Sequence, residues 1–284
     1  MIEVKNLQFT YPGNSEPTLL GLNFRINHGE IFGFLGPSGA GKSTTQNLLI
    51  GLLREFQGEI RVLDQDLQSI SPEYYERVGV AFEFPNFYTK FTARENLEYY
   101  RSLYRGVTAA PDSLLKMVGL MDDADTRVGS FSKGMRMRLN FCRALLNQPD
   151  LLFLDEPTAG LDPANARRIR EIITQKQSEG VTVFLTTHNM TVADQLCDRV
   201  AFIVNGRIIL IDSPRELKIR NSRRFIRVEY RVNGNLRRQD FPMEELAANR
   251  EFLELLNREE IETLHSQEAT LEDIFIRTTG KRLR

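Results

Sequence analysis

The sequence predicts an α/β protein whose main domain contains a parallel sheet, followed by a small α+β domain. Three observations lead to this fold class. Short apolar runs alternate with helical patterns up to about residue 214, a glycine-rich loop follows an early apolar run, and the hydrophobic pattern changes beyond Pro214. Strands that alternate with helices are typical of parallel sheets buried on both faces. We therefore expect one domain at 1–214 and a second at 215–284.

Within the first domain, each predicted element is an apolar run or a helical repeat that ends at a turn signal. The predicted strands are 30–35, 151–154, 181–186, 200–204 and 208–211, and the predicted helices are 43–53, 96–103, 113–118, 133–146 and 165–178. Asn205-Gly206 predicts a hairpin between the last two strands. The mainly helical stretch predicts a helical insert at about 87–145.

The second domain is predicted from a change in the spacing of apolar residues along the chain. Apolar residues at 226, 228, 230 and 232 alternate with charged residues, which predicts a strand with one apolar and one charged face. Asn233-Gly234 predicts a turn into a second strand. Two helices are expected, at Glu244–Leu256 and Leu271–Ile276.

Composition narrows the class of protein. The 284 residues carry a net charge of −1, which argues against broad electrostatic binding of nucleic acid. Cys142 and Cys197 stand far apart, so we expect two core thiols in a reducing compartment rather than a disulfide or a zinc site. No apolar run approaches the roughly 20 residues of a spanning helix. If the protein moves a solute across a membrane, a partner must supply the channel.

The strongest local motif is the loop that follows the first buried strand. It fits the pattern GxxxxGK[ST], and its residues are Gly36, Pro37, Ser38, Gly39, Ala40, Gly41, Lys42, Ser43 and Thr44. Glycines let backbone N–H groups turn toward phosphates, the lysine supplies a point charge, and Ser43 offers a hydroxyl to Mg²⁺. The alternative is a chance glycine-rich turn, but the predicted flanking strand and helix favour a nucleotide site.

A second motif places two carboxylates, Asp155 and Glu156, at the end of the apolar run Leu151–Leu154. Charge at that position is costly unless it meets a cation or takes part in chemistry. Asp155 is suited to hold Mg²⁺ through water, and Glu156 is suited to orient or deprotonate the attacking water. An acidic turn without function is the alternative, and the phosphate loop upstream makes it the weaker one.

Further motifs complete a family pattern. Around the two carboxylates lie Phe131-Ser132-Lys133-Gly134-Met135, Ala159-Gly160-Leu161-Asp162 and Thr187-His188. Over about residues 2–215 this order resembles the ATP-binding-cassette (ABC) family: Walker A, signature, Walker B, D-loop and switch histidine. The resemblance implies a RecA-like P-loop NTPase core with an antiparallel β subdomain and a helical insert. It also implies Mg²⁺-dependent ATP hydrolysis that energises a separate transmembrane permease, with the chain bound peripherally on the cytoplasmic side.

The resemblance also implies roles for single residues. In a head-to-tail dimer, the signature residues Ser132, Lys133, Gly134 and Met135 would meet the ATP of the opposite subunit. Tyr11 would stack on adenine, and His188 would contact the γ-phosphate and orient Glu156. Asp162 would organise the interface, and Lys42 would act with Glu156 and His188 in catalysis. One complete set of motifs makes a homodimer simpler than a heterodimer, although both stay open.

Two departures from the family pattern stand out. The signature usually reads SGGQ, whereas Lys133 and Met135 replace its first glycine and its glutamine here. Glu83 stands where the family usually has glutamine, which adds a third metal-ligand candidate to Ser43 and Asp155. With the aromatic residues after it, Glu83 resembles the ATPases of lantibiotic and bacitracin exporters; neutral drift is the alternative. The tail 269–280 also resembles the C-terminal ending of drug-, antibiotic- and lipid-type export ATPases with separate membrane subunits.

Two other kinds of function stay open at this stage. A soluble ABC protein that acts on ribosomes or DNA usually carries two cassettes or a long coiled coil, and this sequence has neither. A regulatory module that binds ATP but hardly hydrolyses it is disfavoured by the intact Lys42, Asp155, Glu156 and His188.

Overall fold

The computed structural model describes residues 1–221, 225–232, 234–266 and 269–281. The chain divides into two compact units, and the second begins at Pro214. This division falls one residue before the boundary predicted from the sequence. The predicted turn residue Asn233 lies outside the described residues. No helix of the described part of the chain is long and apolar enough to cross a membrane.

The first unit contains ten strands and seven α-helices. The strands are β1 (Ile2–Phe9), β2 (Leu19–Ile26), β3 (Ile31–Leu35), β4 (Gln57–Val62), β5 (Gln65–Asp66), β6 (Val78–Ala81), β7 (Leu151–Asp155), β8 (Thr182–Thr187), β9 (Arg199–Val204) and β10 (Arg207–Asp212). The helices are α1 (Lys42–Leu49), α2 (Pro72–Glu76), α3 (Ala93–Arg101), α4 (Pro111–Met117), α5 (Lys133–Leu145), α6 (Pro163–Ser178) and α7 (Met190–Leu196).

Two sheets organise this unit. The first has four strands in the order β2-β1-β4-β5, all antiparallel. The second has six strands in the order β10-β9-β3-β8-β7-β6, of which only the hairpin strand β10 runs antiparallel. The predicted α/β fold with a parallel sheet and an antiparallel β subdomain is therefore confirmed. The long helices of the predicted insert are α3, α4 and α5.

The parallel register determines where the functional loops meet. Leu35 pairs with Thr187, and Asp155 pairs with Thr186, so β3, β7 and β8 end at the same edge of the sheet. Loops that follow parallel strands at one edge form the usual ligand crevice of such sheets. The glycine-rich loop, the acidic pair and His188 therefore come together at this edge.

The core beneath this edge is aromatic. The rings of Phe34, Phe153 and Phe184 are fully buried. The ring centroids of Phe34 and Phe153 lie 5.5 and 5.7 Å from that of Phe184. Such tilted aromatic pairs contribute stability beyond the area that they bury. Cys142 and Cys197 are buried free thiols, as predicted, and burial raises the pKa of both.

Two helix boundaries differ from the prediction. α1 ends at Leu49 because Gly51 adopts a φ of 75°, and a side chain there would collide with Ile70. Leu52 is consequently outside the helix and exposed. α4 begins at Pro111, two residues before the predicted start, since proline lacks only the N–H that a first-turn residue does not need.

In its described residues, the second unit contains three α-helices and three strands. They are α8 (Pro214–Asn221), β11 (Phe225–Val232), β12 (Asn235–Pro242), α9 (Arg250–Arg258), β13 (Glu260–Ser266) and α10 (Leu271–Thr279). The strands form an antiparallel sheet with β11 in the centre, and a small core joins Val228 and Phe241 to Phe252 and Leu255 of α9.

The predicted alternation of β11 is confirmed by its two faces. On the charged face, Arg227 forms two hydrogen bonds with Asp240, of 2.7 and 2.8 Å, and Arg238 pairs with Glu229 at 2.6 Å. The predicted start of the following helix at Glu244 was wrong. Glu245 has a φ of 58°, and α9 begins only after Asn249, whose side chain accepts a hydrogen bond from Phe252 N.

Candidate nucleotide-binding site

An open cavity of about 380 Å³ lies at the edge where β3, β7 and β8 end. It is lined by Tyr11, Thr18, Ser38, Gly39, Gly41, Lys42, Ser43, Thr44, Glu83, Asp155, Glu156 and His188. All of these except Thr18 are predicted site residues. The remaining loop residues, Gly36, Pro37 and Ala40, lie behind the lining, and the carbonyls of Gly36 and Pro37 accept hydrogen bonds from Lys42 Nζ at 2.7 and 3.0 Å.

The glycine-rich loop needs its glycines for conformation and for space. Gly41, immediately before α1, has a φ of 108°, and a Cβ there would lie 2.6 Å from Leu19 Cδ2. A side chain on Gly36 would collide with the carbonyl oxygen of Ile203. The loop therefore wraps the N-terminus of α1, where free N–H groups favour anionic phosphates.

Lys42 is the cation of the cavity. Burial lowers the pKa of its ammonium group, while the charges of Glu156, Asp155 and Glu83 oppose this shift. The ammonium group rests on the loop carbonyls of Gly36 and Pro37. A phosphate group can draw it away from those carbonyls, because a charge-assisted contact is stronger than a hydrogen bond to a neutral oxygen.

Asp155 ends β7 with its carboxylate turned into the cavity. Its Oδ1 accepts a short hydrogen bond from Thr186 Oγ1, and its Oδ2 lies 3.5 Å from Ser43 Oγ. Burial is the main cause that raises the pKa of Asp155, and nearby Glu156 raises it further. A buried carboxylate with a raised pKa gains from a cation placed beside it.

Glu156 adopts a backbone conformation that non-glycine residues rarely use, with a φ of 48°. Its Oε1 accepts hydrogen bonds from His188 N at 2.8 Å and contacts His188 Nδ1 at 2.6 Å, and its Oε2 accepts from Thr187 Oγ1 at 2.8 Å. Such strain is tolerated where the surroundings hold a residue in place, and it is frequent at functional sites. The carboxylate is thus fixed at the cavity wall with an imidazole against it.

Glu83 adds a third carboxylate to the cavity. Partial burial raises its pKa, as do the charges of Asp155 and Glu156. Ser43, Asp155 and Glu83 offer a hydroxyl and carboxylate oxygens, which are the ligand types that Mg²⁺ prefers. In the described part of the chain, no three His, Cys, Asp or Glu side chains form a metal-binding group by themselves. The donor set fits a Mg²⁺ ion that takes its remaining ligands from phosphate and water.

Aromatic and hydroxyl groups complete the cavity. Tyr11 packs edge-on against Phe9, with 4.8 Å between ring centroids, and its hydroxyl lies 3.1 Å from Thr44 Oγ1. Thr18 and Thr186 were not predicted from the sequence, and Thr187 was named only as the neighbour of His188. Two threonines at the end of an otherwise apolar strand were the available signal for Thr186 and Thr187, whereas only the tertiary structure brings Thr18 to the cavity.

The predicted signature residues do not line this cavity. Ser132 caps α5 by accepting a hydrogen bond from Met135 N at 3.2 Å. The stem of Lys133 lies against Gly160, where a Cβ would approach Lys133 Cε to 3.1 Å. Asp162 caps α6 by accepting from Ala164 N at 3.1 Å and Asn165 N at 3.0 Å. Ser132, Lys133 and Gly160 therefore lie at the N-terminus of α5, whereas Asp162 lies at that of α6.

Because the carboxylate of Asp155 is buried, we expect the free energy of unfolding of the nucleotide-free protein to depend on pH. Its pKa is raised above the ordinary 3.8 by burial, so the folded state binds this proton more tightly than the unfolded chain does. The ionised carboxylate therefore costs stability at neutral pH, and this cost disappears as the pH falls toward 3.8. We expect Asp155→Asn to raise the free energy of unfolding at pH 7, with little gain near pH 4.

Urea unfolding of both proteins in a chelator measures this difference. Glu30→Gln serves as control, because Glu30 is also buried but pairs with Arg199 at 3.1 Å. That substitution is expected to lower stability at pH 7. A less stable Asp155→Asn protein at neutral pH would show that hydrogen bonds to the carboxylate outweigh its burial.

The glycine loop, its lysine and the acidic pair define a P-loop NTPase. Comparison with known proteins gives the same class and also identifies a family within it. The family model described as ABC transporter matches residues 19–159, and one described as fluoroquinolone efflux ABC transporter C-terminal domain matches residues 224–268. The chain therefore belongs to the ATP-binding-cassette family.

Among its relatives, a fluoroquinolones export ATP-binding protein of Mycobacterium tuberculosis is 56% identical over 284 residues, which is 100% of this chain and 94% of the relative. Nod factor export ATP-binding protein I of Rhizobium meliloti is 40% identical, over 76% of this chain and 65% of its own. The bacitracin transport ATP-binding protein of Bacillus licheniformis is 37% identical, over 72% of this chain and 68% of its own.

Solved structures agree with the fold. A dimeric ATP-binding cassette in a post-hydrolysis state, bound to ADP and Pi, superposes with a TM-score of 0.68 at 27% identity, covering 75% of this chain and 98% of that one. The ATP-binding subunit of an ABC transporter superposes with a TM-score of 0.71 at 28% identity, covering 78% of this chain and 92% of that one. The protein is an ATP-hydrolysing subunit of the ABC transporter family, and the relatives named above are ATP-binding proteins of export or transport systems.

Proposed function

We propose that the protein powers the export of fluoroquinolone-like antibiotics through a permease on a separate polypeptide, from the inner face of the cell membrane. The observation that carries this proposal is the 56% identity to a fluoroquinolones export protein over the entire chain. The match of residues 224–268 to the C-terminal domain of fluoroquinolone efflux transporters supports it independently of the ATPase motifs. The Nod factor and bacitracin relatives, which match a smaller share of the chain, are alternative guides to the cargo.

In this proposal, hydrolysis is carried out by residues already in place. Glu156 orients and deprotonates the attacking water, and His188, 2.6 Å from its Oε1, holds the carboxylate and reaches toward the γ-phosphate. Lys42 and the N-terminus of α1 stabilise the charge of the phosphates. Ser43, Asp155 and Glu83 would hold Mg²⁺, which supplies charge neutralisation at the β- and γ-phosphates when it is bound.

The signature residues act in trans in this proposal. Ser132 and Gly134 lie at the N-terminus of α5, a helix of 13 residues whose first N–H groups favour an anion. Because they do not line their own chain's cavity, they are available to a second copy. A head-to-tail homodimer would place each signature against the ATP of the partner, with Asp162 between the two sites.

The permease is proposed to dock on an apolar groove beside the helical insert. The groove has a volume of about 430 Å³ and is lined by Ile50, Leu52, Tyr75, Val78, Val80, Phe82, Phe84, Asn86, Tyr100, Tyr104 and Arg143. Leu52 and Phe84 are 62% and 78% exposed, which is unusual for large apolar side chains that share one groove. Of the two aromatic residues at the start of the helical insert, Tyr88 is exposed, whereas Phe87 is buried.

Leu52→Glu tests the groove. A charge in the groove is expected to reduce co-purification with the permease and drug-stimulated hydrolysis by about tenfold or more, since loss of an interface hot-spot residue costs about 2 kcal/mol or more. Hydrolysis by the isolated subunit should be unchanged. Val107→Glu is the matched control, because Val107 is 84% exposed but does not line the groove. Equal losses from both variants would argue against docking at this groove.

The transport proposal is tested with inverted membrane vesicles from the native host. Vesicles from a strain that lacks this protein, complemented with the wild-type chain, should accumulate a fluorescent fluoroquinolone when ATP is added. Complementation with Glu156→Gln should give no accumulation. Accumulation of bacitracin but not of fluoroquinolone would assign a different cargo, and no ATP-dependent accumulation of either would contradict drug export.

A further inference from the structure

One helix, α5, holds both ends of the loop that carries Glu83. The side chain of Asn140 is fully buried, and its Nδ2 donates a hydrogen bond of 2.7 Å to Phe82 O. Arg143, one turn further along α5, donates to Asn86 O at 3.0 Å and to Asn140 Oδ1 at 2.6 Å. The loop is therefore attached to α5 at its first and last residues.

This loop has two faces. Glu83 lines the nucleotide cavity, whereas its neighbour Phe84 is exposed in the apolar groove. Asn86 and Arg143 also line that groove. Because both loop ends are held by α5, a force on the exposed face cannot move Phe84 without moving Glu83 or straining the contacts at Phe82 and Asn86.

The rest of α5 is fixed to the central sheet. Gly79 of β6 has no side chain, and a Cβ there would collide with Ala144 O of α5. Just beyond the helix, the amide of Asn147 donates to Val78 O at 2.9 Å and to the nearby carbonyls of Tyr75 and Glu76. The C-terminal part of α5 and β6 therefore form one rigid support, and Ser132 lies at the opposite end of the same helix.

We infer that Asn140 is a positioning residue for hydrolysis: it sets the position of Glu83 in the nucleotide cavity and links that position to the helix that begins at Ser132. The role of Glu83 at the phosphate and metal site rests on the proposed function. Asn140 is suited to this task because its amide bridges the loop and Arg143, and its burial leaves no water to replace the lost bonds. Displacing a reacting group by about 1 Å can lower a rate by about 10²-fold.

Two substitutions separate this role from simple stability. Asn140→Asp keeps the volume and can still accept from Arg143, but a carboxylate cannot donate to Phe82 O. Asn140→Leu removes both hydrogen bonds. We expect each to lower kcat for ATP hydrolysis by about tenfold, with KM for ATP little changed, because the loop does not form the phosphate-binding glycine turn.

The deciding experiment is a double-mutant cycle on the purified full chain with Glu83→Gln. If Asn140 acts through Glu83, both single variants lower kcat and the double variant is no slower than the slower single one. Asn147→Leu is the control, since it removes the amide that binds the carbonyls of Tyr75, Glu76 and Val78. Its effect on kcat should be small and should multiply with that of Glu83→Gln.

Three results would overturn the inference: multiplying effects of the Asn140 and Glu83 substitutions, unchanged turnover in Glu83→Gln, or equal losses from Asn147→Leu. If Asn140→Leu fails to fold, the cycle with Asn140→Asp decides the question. The measurement needs neither permease nor drug, so its outcome is independent of whether the exported cargo has been assigned correctly.

Discussion

Glu156→Gln is expected to lower the rate of ATP hydrolysis by about 10²- to 10⁴-fold while ATP binding is retained. The amide has the size of the carboxylate but cannot take a proton from water. The contacts that hold the side chain survive, because Oε1 can still accept from His188 N, and Thr187 Oγ1 can accept a hydrogen bond from the new amide instead of donating one. Phosphate release and equilibrium binding of labelled ATP measure the two effects separately.

Glu30→Gln is the matched control for this substitution. Glu30 is equally buried, but it lies at the opposite end of β3, where it accepts from Asn27 N at 2.8 Å and pairs with Arg199. Its replacement should lower stability and leave turnover per folded molecule unchanged. A Glu156→Gln protein that hydrolyses ATP at the wild-type rate would remove Glu156 from the proposed mechanism.

Gly134→Ala is expected to stabilise the isolated subunit and to inactivate it. Gly134 lies in the first turn of α5, and an added Cβ would make ordinary contacts of 3.5 Å with Leu161 Cδ2 and 3.6 Å with Gly160 O. Replacing a helical glycine by alanine without strain stabilises a protein by about 0.4–1 kcal/mol. If Gly134 faces the phosphate of the opposite subunit, the methyl group should lower hydrolysis by about 10²-fold.

Thermal unfolding and phosphate release should therefore change in opposite directions. Combining the substitution with Glu156→Gln makes the dimer itself observable, since slow hydrolysis preserves the ATP-bound state. Size-exclusion chromatography in ATP should then show a dimer for Glu156→Gln alone and a monomer for the double variant. Wild-type turnover in Gly134→Ala would contradict contact between the signature and the partner's ATP.

How far the sequence predicts this structure is clear from particular residues. The glycine loop could be recognised because its conformation is local: Gly41 needs a positive φ whatever the rest of the chain does. β7 and β8 could be recognised because strands buried on both faces are mostly apolar, without the alternation of a half-exposed strand. The start of α9 could not, since an apparent helical pattern from Glu244 gave no sign of the turn at Glu245.

Some residues of the nucleotide cavity could be predicted from the sequence, and others could not. The resemblance to the ABC family predicted Lys42, Asp155, Glu156 and His188 as a set, and the parallel register explains why they meet at one edge. The sequence did not predict Thr18, which directly precedes β2 of the antiparallel sheet and lines the cavity only in the folded protein. Nor did it predict Asn140. Of the two hydrogen-bond partners of this side chain, Phe82 is distant in sequence and Arg143 is near.

The chemistry of the protein can be inferred from local motifs: a phosphate loop, an acidic pair and a signature, each specified by residues that are adjacent in the chain and need no distant contact to be recognised. How these parts are held depends on long-range packing. The strained backbone of Glu156, the contact of its carboxylate with His188, and the attachment of the Glu83 loop to α5 depend on the parallel register and on helix packing. Those contacts join residues far apart in sequence, so local patterns carry no record of them.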